Sequence, residues 1–538
     1  MKQRAAPWRG ATSYILFLAL IPLLPPGGLS HTQNNRATVV YPELILPSDT
    51  FFQPSASFLP NKLVFAHYML CCGAFDWDST FPTLADAAIQ DIQMAQAMGI
   101  DGFALNLGAY DSGYQTRAAA MFQGALQLNT GFRLFFSADM CCSLTAANIV
   151  SMMSTYGNHS NYFKVNGRQV LSTFSGGLHA NVSMWRDGVL APLNNSGINV
   201  YFVPYFFPDP IVDPPTTSAI QSHVTFWASQ VRAGGHQPLI DGLFNFATAE
   251  LPYGSVPNLI QNTQDYGSAL TSAGKLFMAA LGNYYWGSVQ TNAGRRSYNY
   301  RGGEGTDAFW QAILASNASW VEIITWNDWA ESYTMPIDDF TKYWTSGYCM
   351  KNVHGACIPA GWYQDHRGMA ELNRYYIQWF KTGVQPTITK DSIFYSYILQ
   401  TSTATATNDS FGAVTSFGDS VNNLYVTVAM TAAGVLECTS GPSYLNHSVP
   451  AGMTFVTVPA HPGTQNFSLS RNGKPINSLQ GPNILTSLPL YDYWPATGYV
   501  ETTSTQPSSS TSSSPSSSSA PISSFALYVL SLGRVVLF

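Results

Sequence analysis

The sequence predicts an α/β protein: a (β/α)8 barrel of the TIM type with a C-terminal β-sandwich domain. Three observations carry this prediction. Eight short apolar runs recur between residues 63 and 383, helical patterns that often stop at a glycine separate them, and after Gly383 the pattern changes to two-residue alternation.

The runs follow in order. LVFAHYML (63–70), GFALNL (102–107), FRLFFSAD (132–139) and QVLSTF (169–174) make the first half. NVYFVPYF (199–206), DGLFNF (241–246), KLFMAAL (275–281) and WVEIITW (320–326) make the second. Each is almost continuously apolar, as parallel strands covered on both faces should be. Between the first two lies LADAAIQDIQMAQAMG, with Leu84, Ala88, Ile92, Ala95 and Met98 on one helical face and Gly99 placed as a C-cap. Gly131, Gly197 and Gly274 make similar stops just before a strand, and ELNRYYIQWFKTG closes the eighth unit. An open doubly wound sheet is the competing topology, but no glycine-rich phosphate loop follows the first run. Beyond Gly383, SIFYSYILQTS, NNLYVTVAMTAAGVLECTSG and MTFVTVPAHPGTQNFSLSRNGKPI alternate and carry turn signals, Asn472-Gly473 among them. This β-sandwich reads first as a packing module and second as a carbohydrate-binding one.

The remaining boundaries come from composition. Residues 1–30 form a secretory signal peptide, in which Lys2, Arg4 and Arg9 precede an apolar run from Tyr14 to Leu24. Residues 31–60 lead into the barrel (61–383), the sandwich occupies 384–500, and 501–524 is a Ser/Thr/Pro-rich stalk that cannot bury enough apolar surface to fold. The apolar tail 525–538 has the pattern of a lipid-anchor (GPI) attachment signal, although Arg534 interrupts it. Seven Asn-X-Ser/Thr sequons, at Asn158, Asn181, Asn194, Asn317, Asn408, Asn446 and Asn466, fit a secreted glycoprotein. Of the seven cysteines, Cys349 and Cys357 make the easiest local pair. The vicinal pairs Cys71–Cys72 and Cys141–Cys142 are read as linked to each other, and Cys438 is left over.

Composition also narrows function. Only 10% of the chain is charged, and the net charge of −6 gives no reason to expect nucleic acid as a partner. Aromatics reach 14%, more than a core needs, which suits a sugar-binding groove. The chain reads as a secreted monomer, held at the cell surface or wall if the anchor signal is genuine.

In a barrel of this type the active site lies at the C-terminal ends of the strands. Those ends present His67, Asn106, Asp139, Tyr205 and Asn245. The seventh strand runs into GNYYWG with Tyr285 and Trp286, and the eighth into Trp326, Asn327, Asp328, Trp329 and Glu331. Amides and aromatic rings suit a neutral polyhydroxylated ligand, and a pair of carboxyls can cleave a glycosidic bond. Asp139, Asp328 and Glu331 are the candidate acids. Each has a plainer reading, as a cap on the loop, turn or helix that follows its strand. Three acids at two strand ends of an acid-poor chain argue for chemistry. Glu322, inside the eighth strand, reads as structural. One rim histidine and no C-x-x-C pair give no expectation of a metal or other cofactor. The rivals weighed are a non-catalytic wall-binding protein on a barrel scaffold and a metal-dependent hydrolase using His67.

VFAHYML, DIQMAQAMGIDGFALNLG, FRLFFSADM, GRQVLSTFSG, VYFVPYF and above all VEIITWNDWAES resemble glycoside hydrolase family 71, the fungal α-1,3-glucanases or mutanases, over about residues 60 to 500. The resemblance implies a (β/α)8 barrel packed against a β-sandwich and metal-independent hydrolysis of cell-wall α-1,3-glucan with inversion. It implies essential carboxylates at Asp139, Asp328 and Glu331, and subsites lined by Tyr285, Trp286 and Arg296. The chain departs from the family's pattern at the ADM that ends strand three, at Asn245 and at Trp329-Ala330. Substrate preference and endo or exo action therefore stay open. An inverting pair stands about 6.5 to 9.5 Å apart to admit water. Glu331 is read as the proton donor, Asp328 as the base or water-positioner, and Asp139 as assisting.

Overall fold

The computed structural model describes residues 50–502 apart from 55–56, 71–80, 141–142, 177–180, 209–214, 247–255, 289–294, 338–349, 352–356, 359–362, 410–411 and 415–421. The signal peptide, stalk and apolar tail lie outside the described residues. So do Cys71, Cys72, Cys141, Cys142 and Cys349, and with them the expected disulfides.

Strands and helices alternate from Leu63 to Thr382. They are β1 (Leu63–Met69), α1 (Leu84–Ala97), β2 (Gly102–Leu107), α2 (Ser112–Leu128), β3 (Arg133–Asp139), α3 (Ala146–Tyr156), β4 (Arg168–Phe174) and α4 (Ala191–Asn195). The second half holds β5 (Val200–Phe202), α5 (Thr217–Ser229), β6 (Gly242–Phe244), α6 (Val256–Ser272), β7 (Leu276–Leu281), α7 (Gly302–Ala315), β8 (Trp320–Ile323) and α8 (Arg367–Thr382). All eight apolar runs thus contain a strand, several shorter than the run. The four glycines read as helix stops take positive φ, from +60° at Gly274 to +89° at Gly99, which a residue without Cβ adopts freely. Thr83, Asp111, Thr145 and Thr216 cap α1, α2, α3 and α5 with side-chain oxygens on backbone N–H groups.

The eight strands form one parallel sheet in the order β6-β7-β8-β1-β2-β3-β4-β5. The sheet is curled, and two backbone bonds run between segments at its ends. Asp241 N donates to Phe202 O at 2.8 Å and Phe244 N donates to Pro204 O at 2.9 Å. A charged cluster sits beside those bonds. Arg168 grips both carboxylate oxygens of Asp241 at 2.7 and 2.6 Å, Arg232 reaches the same carboxylate at 3.2 Å, and Phe202 N donates to it at 2.9 Å. Inside the curl every position of β2 is buried, as are Val64 to Tyr68 of β1.

After Gly383 the chain forms two further sheets. One has four strands, ordered β14 (Gly452–Pro459), β11 (Asn423–Met430), β9 (Ser392–Ile398) and β17 (Pro495–Glu501). The other has five, ordered β10 (Gln400–Ala406), β16 (Lys474–Leu488), β15 (Gly463–Arg471), β12 (Gly434–Ser440) and β13 (Ser443–Val449). Their inner faces share one core, with Ile393, Tyr397 and Val426 from the first meeting Leu436, Phe467 and Leu469 from the second. Asn472 and Gly473 both take positive φ in the tight turn between β15 and β16, as a two-residue hairpin loop requires. Cys438 is buried in this core with a free thiol, and burial pushes its pKa up to about 12.

This β-rich region presses on the α/β region. A Cβ at Gly303 would fall 2.1 Å from Thr427 Oγ1, so the start of α7 meets β11 without room for a side chain. Trp286, Tyr363, Tyr493 and Trp494 form one aromatic cluster across the junction. His366 lies between Tyr333 O at 3.0 Å and Pro495 O at 3.1 Å, and burial pushes its pKa down to about 3 against the pull of both carbonyls.

Candidate active site

The ends of β1, β2 and β3 and the segment after β8 converge. Beyond Ile323 the chain turns into a small antiparallel hairpin, Asn327–Asp328 against Ser332–Tyr333. The peptide bond between Ile324 and Thr325 is cis. Thr325 organises the hairpin: its N–H donates to Ser332 Oγ at 3.1 Å, and its Oγ1 accepts from Asp328 N at 2.9 Å and donates to Ser332 O. A hairpin turn follows the strand in place of a helix, and the capping alternative holds for Asp328, whose Oδ1 accepts from Ala330 N within that turn.

Both strand-eight acids therefore sit at one tight turn. Asp328 Oδ1 accepts from Ala330 N at 3.1 Å, and Glu331 N donates to Asp328 O at 3.1 Å. The turn is tied to the segment after β7, since Trp286 N donates to Glu331 O at 2.8 Å and Ser288 donates to Ala330 O through both N–H and Oγ. Tyr285 sets its hydroxyl on the Glu331 carboxylate, and the Arg296 guanidinium lies 5.0 Å from the Tyr285 ring centre.

Asp328 is pushed well above the usual carboxylate range. Burial is the largest cause, followed by the charge of Glu331, with Asp139 adding to it. Asp328 is 9% exposed, Asp139 8%, and Glu331 half-buried. The structure thus brings together the three acids read from sequence.

Behind Asp139 runs a line of buried polar groups. Asn106 Nδ2 lies 3.2 Å from Asp139 Oδ2 and 3.1 Å from His67 Nε2. His67 Nδ1 lies 2.6 Å from Glu322 Oε1. Among the described residues, Asn106 Oδ1 and Glu322 Oε2 are buried without a hydrogen-bond partner. Sequence reading set Glu322 aside as structural. The available signal was a glutamate in a strand covered on both faces, where a charge needs a reason.

Several residues expected to bind sugar are engaged elsewhere. Asn327 clamps the end of β1, accepting from Met69 N at 2.7 Å and donating to Met69 O at 3.3 Å. Asn245 accepts from Ala280 N at 2.7 Å and donates to Asn262 at 3.0 Å and Thr263 at 3.5 Å, bracing β7 against α6. Trp326 and Trp286 are fully buried, and Trp329, Tyr285 and Tyr205 nearly so. Trp326 packs on Phe103, Trp329 on Tyr333 and Tyr363, and Tyr205 on Phe174 and Phe246. Their rings build the walls behind the acids rather than open platforms. His67 and Asn106 belong to the buried line just described.

A cavity of about 450 Å³ opens where the strands begin, lined by Gly99, Asp101, Gly131, Arg133, Arg374 and Lys381. The length of β1 and β3 separates it from the acids. Among the described residues no group of three or more His, Cys, Asp or Glu is placed to hold a metal ion, and no helix is long and apolar enough to cross a membrane.

The profile of glycosyl hydrolase family 71 matches residues 60–512. A glucan endo-1,3-alpha-glucosidase of Schizosaccharomyces pombe is 26% identical over 457 residues, covering 81% of this chain and 94% of that protein. A mutanase of Penicillium rubens is 25% identical over 435 residues, covering 78% and 84%. An ascus wall endo-1,3-alpha-glucanase of Schizosaccharomyces pombe is 25% identical over 416 residues, covering 72% and 86%.

Proposed function

Since this chain belongs to glycosyl hydrolase family 71, we propose that it hydrolyses α-1,3-glucosidic bonds of cell-wall α-glucan, with Asp139, Asp328 and Glu331 as the catalytic acids. The observation that carries the reading is the mutual influence of the three. Burial, with the charges of Glu331 and Asp139, raises Asp328 well above the usual carboxylate range, which disfavours full ionisation of the Asp328–Glu331 pair. When one member holds the proton, the other is relieved of its neighbour's charge and ionises. A glycosidase needs that asymmetry: one acid to protonate the leaving oxygen and one carboxylate to take a proton from water.

Glu331 is the donor in this reading, because it is the more open of the two and able to reach a leaving oxygen, which requires the proton that burial favours on Asp328 to pass to Glu331 as substrate binds. Asp328, fixed beneath it by Ala330 N–H, orients the water. Asp139 supplies negative charge opposite the oxocarbenium-like transition state. A single displacement with inversion follows the family resemblance.

The curled sheet is read as a closed (β/α)8 barrel and the C-terminal region as a β-sandwich. Strand order and the two backbone bonds between Phe202–Pro204 and Asp241–Phe244 support the first, and the shared core of two sheets supports the second. The sandwich acts as a buttress for the turn that bears Glu331, a role supported by Trp286, which touches both. Action outside the cell fits the sequons: all of their asparagines except the half-buried Asn181 are exposed.

The test is incubation of the full chain with α-1,3-glucan, with released sugars followed by NMR. Sugars should appear first with β-anomeric reducing ends. Initial α-anomers would overturn inversion, and binding of glucan without release would overturn hydrolysis.

A further inference from the structure

We propose that Glu322 and His67 are positioning residues for this reaction, acting through Asn106 to hold Asp139 ionised and aimed at the acid cluster. The proposal rests on the hydrolase reading above and gives these three residues work that needs no contact with substrate.

Each orientation in the line dictates the next. An ionised Asp139 Oδ2 can only accept hydrogen bonds, so the Asn106 atom 3.2 Å away must be Nδ2. The same Nδ2 lies 3.1 Å from His67 Nε2, which must therefore present its lone pair. A neutral imidazole bare at Nε2 carries its proton on Nδ1, and Nδ1 meets Glu322 Oε1 at 2.6 Å. Four neighbouring strands, β8, β1, β2 and β3, supply one member each.

Without an acceptor at Nδ1, the ring is free to carry its proton on Nε2. Asn106 must then turn Oδ1 toward the ring, and that oxygen also faces Asp139. Two acceptors would meet there unless the aspartate took up a proton, which would remove its charge from the site.

The arrangement is costly where it stands. Glu322 is fully buried, its Oε2 and Asn106 Oδ1 have no partner among the described residues, and Phe246 packs edge-on against the His67 ring at 5.1 Å. Apolar side chains of similar volume would be at least as stable at such places. The line leads to Asp139, at the edge of the acid cluster.

Selective 15N-histidine labelling of the full chain reads the tautomer directly. His67 should carry its proton on Nδ1; a proton on Nε2 in the unaltered protein overturns the proposal, whether or not glucan is cleaved. Glu322→Met removes the acceptor and fills its space. It should move the His67 proton to Nε2 and lower kcat on α-1,3-glucan by about 10- to 100-fold. KM should change by less than about twofold, and Tm should hold or rise because a buried carboxyl is gone. Glu322→Gln, whose amide oxygen can accept from Nδ1, should restore the tautomer and most of kcat. A folded Glu322→Met protein with unaltered kcat would sink the idea, since a purely structural role predicts that result. If the unaltered protein releases no sugar, the hydrolase reading fails instead, and the tautomer still decides the hydrogen-bond chain.

Discussion

The strands of the curled sheet and those of the five-stranded sheet bury their side chains differently. β2 buries all six of its positions, whereas in β15 Gln465, Phe467 and Leu469 are buried and Asn466 between them is exposed. A polar side chain on β15 can turn to water. On a strand covered on both faces it cannot, and it must find a partner inside or go without. Glu437, Thr439 and Ser468 on the outer face of the five-stranded sheet therefore say little about function. His67, Asn106, Asp139 and Glu322, of similar chemistry, are buried and carry the proposal made above.

The sharpest way to break this contrast is to neutralise acids on both sides. Asp139→Asn and Asp328→Asn, both at buried acids, should each lower α-1,3-glucan hydrolysis by about 10²- to 10⁴-fold with the circular dichroism spectrum unchanged. Glu437→Gln should change it by less than about twofold. Equal losses would show that burial does not separate the two classes.

A second prediction stays within the curled sheet. Asp241→Asn leaves Arg168 and Arg232 without their shared carboxylate and should cost about 3 to 5 kcal/mol in denaturant unfolding. A loss below about 1 kcal/mol would place this cluster with ordinary surface pairs.

The third concerns Asp492, at the junction of the regions, where burial raises its pKa to about 8 from 3.8. Between those values the unfolded chain has lost the proton that the folded chain keeps. Stability should therefore be fully present below about pH 4 and fall as pH rises toward about 8. Asp492→Asn should abolish that part of the decline, with Gln364 turning its amide to suit, so the Tm gap from the unaltered protein opens with pH. A gap independent of pH would assign the effect to packing.

The smallest effect is expected on the open face. Tyr444 is 63% exposed, and Tyr444→Ala should shift stability by no more than about 0.5 kcal/mol.

The legible parts of the sequence followed the same divide. All eight strands of the curled sheet were readable because burial on both faces writes an uninterrupted apolar run, and the helix stops because positive φ calls for glycine. Strand ends were less readable: β5 and β6 keep only three residues of longer runs, since Pro204 lacks an amide hydrogen and the ladder stops near it. The three acids were picked out through their place at strand ends, a property of topology, and the structure sets them near one another. The place of the aromatic residues was not legible, because a tryptophan's composition is the same in a wall as in a groove. Trp326, Trp329 and Trp286 are buried, which their identity alone did not tell. The bonds of Asn245 and Asn327 to backbone were illegible for a related reason: an amide bonds backbone as well as it bonds a hydroxyl. The line from Glu322 to Asp139 needed the register of four strands, which no single stretch of chain contains.

The junction of β5 and β6 also bears on how the curled sheet comes apart. Two backbone bonds join these strands, against longer ladders between their neighbours, and Asp241 supplies much of the remaining hold. Hydrogen exchange should register this as an early opening, with the Phe202 and Phe244 amides losing protection together while those of β2 stay slow. This junction then has a clasp, and a single aspartate decides how often it opens.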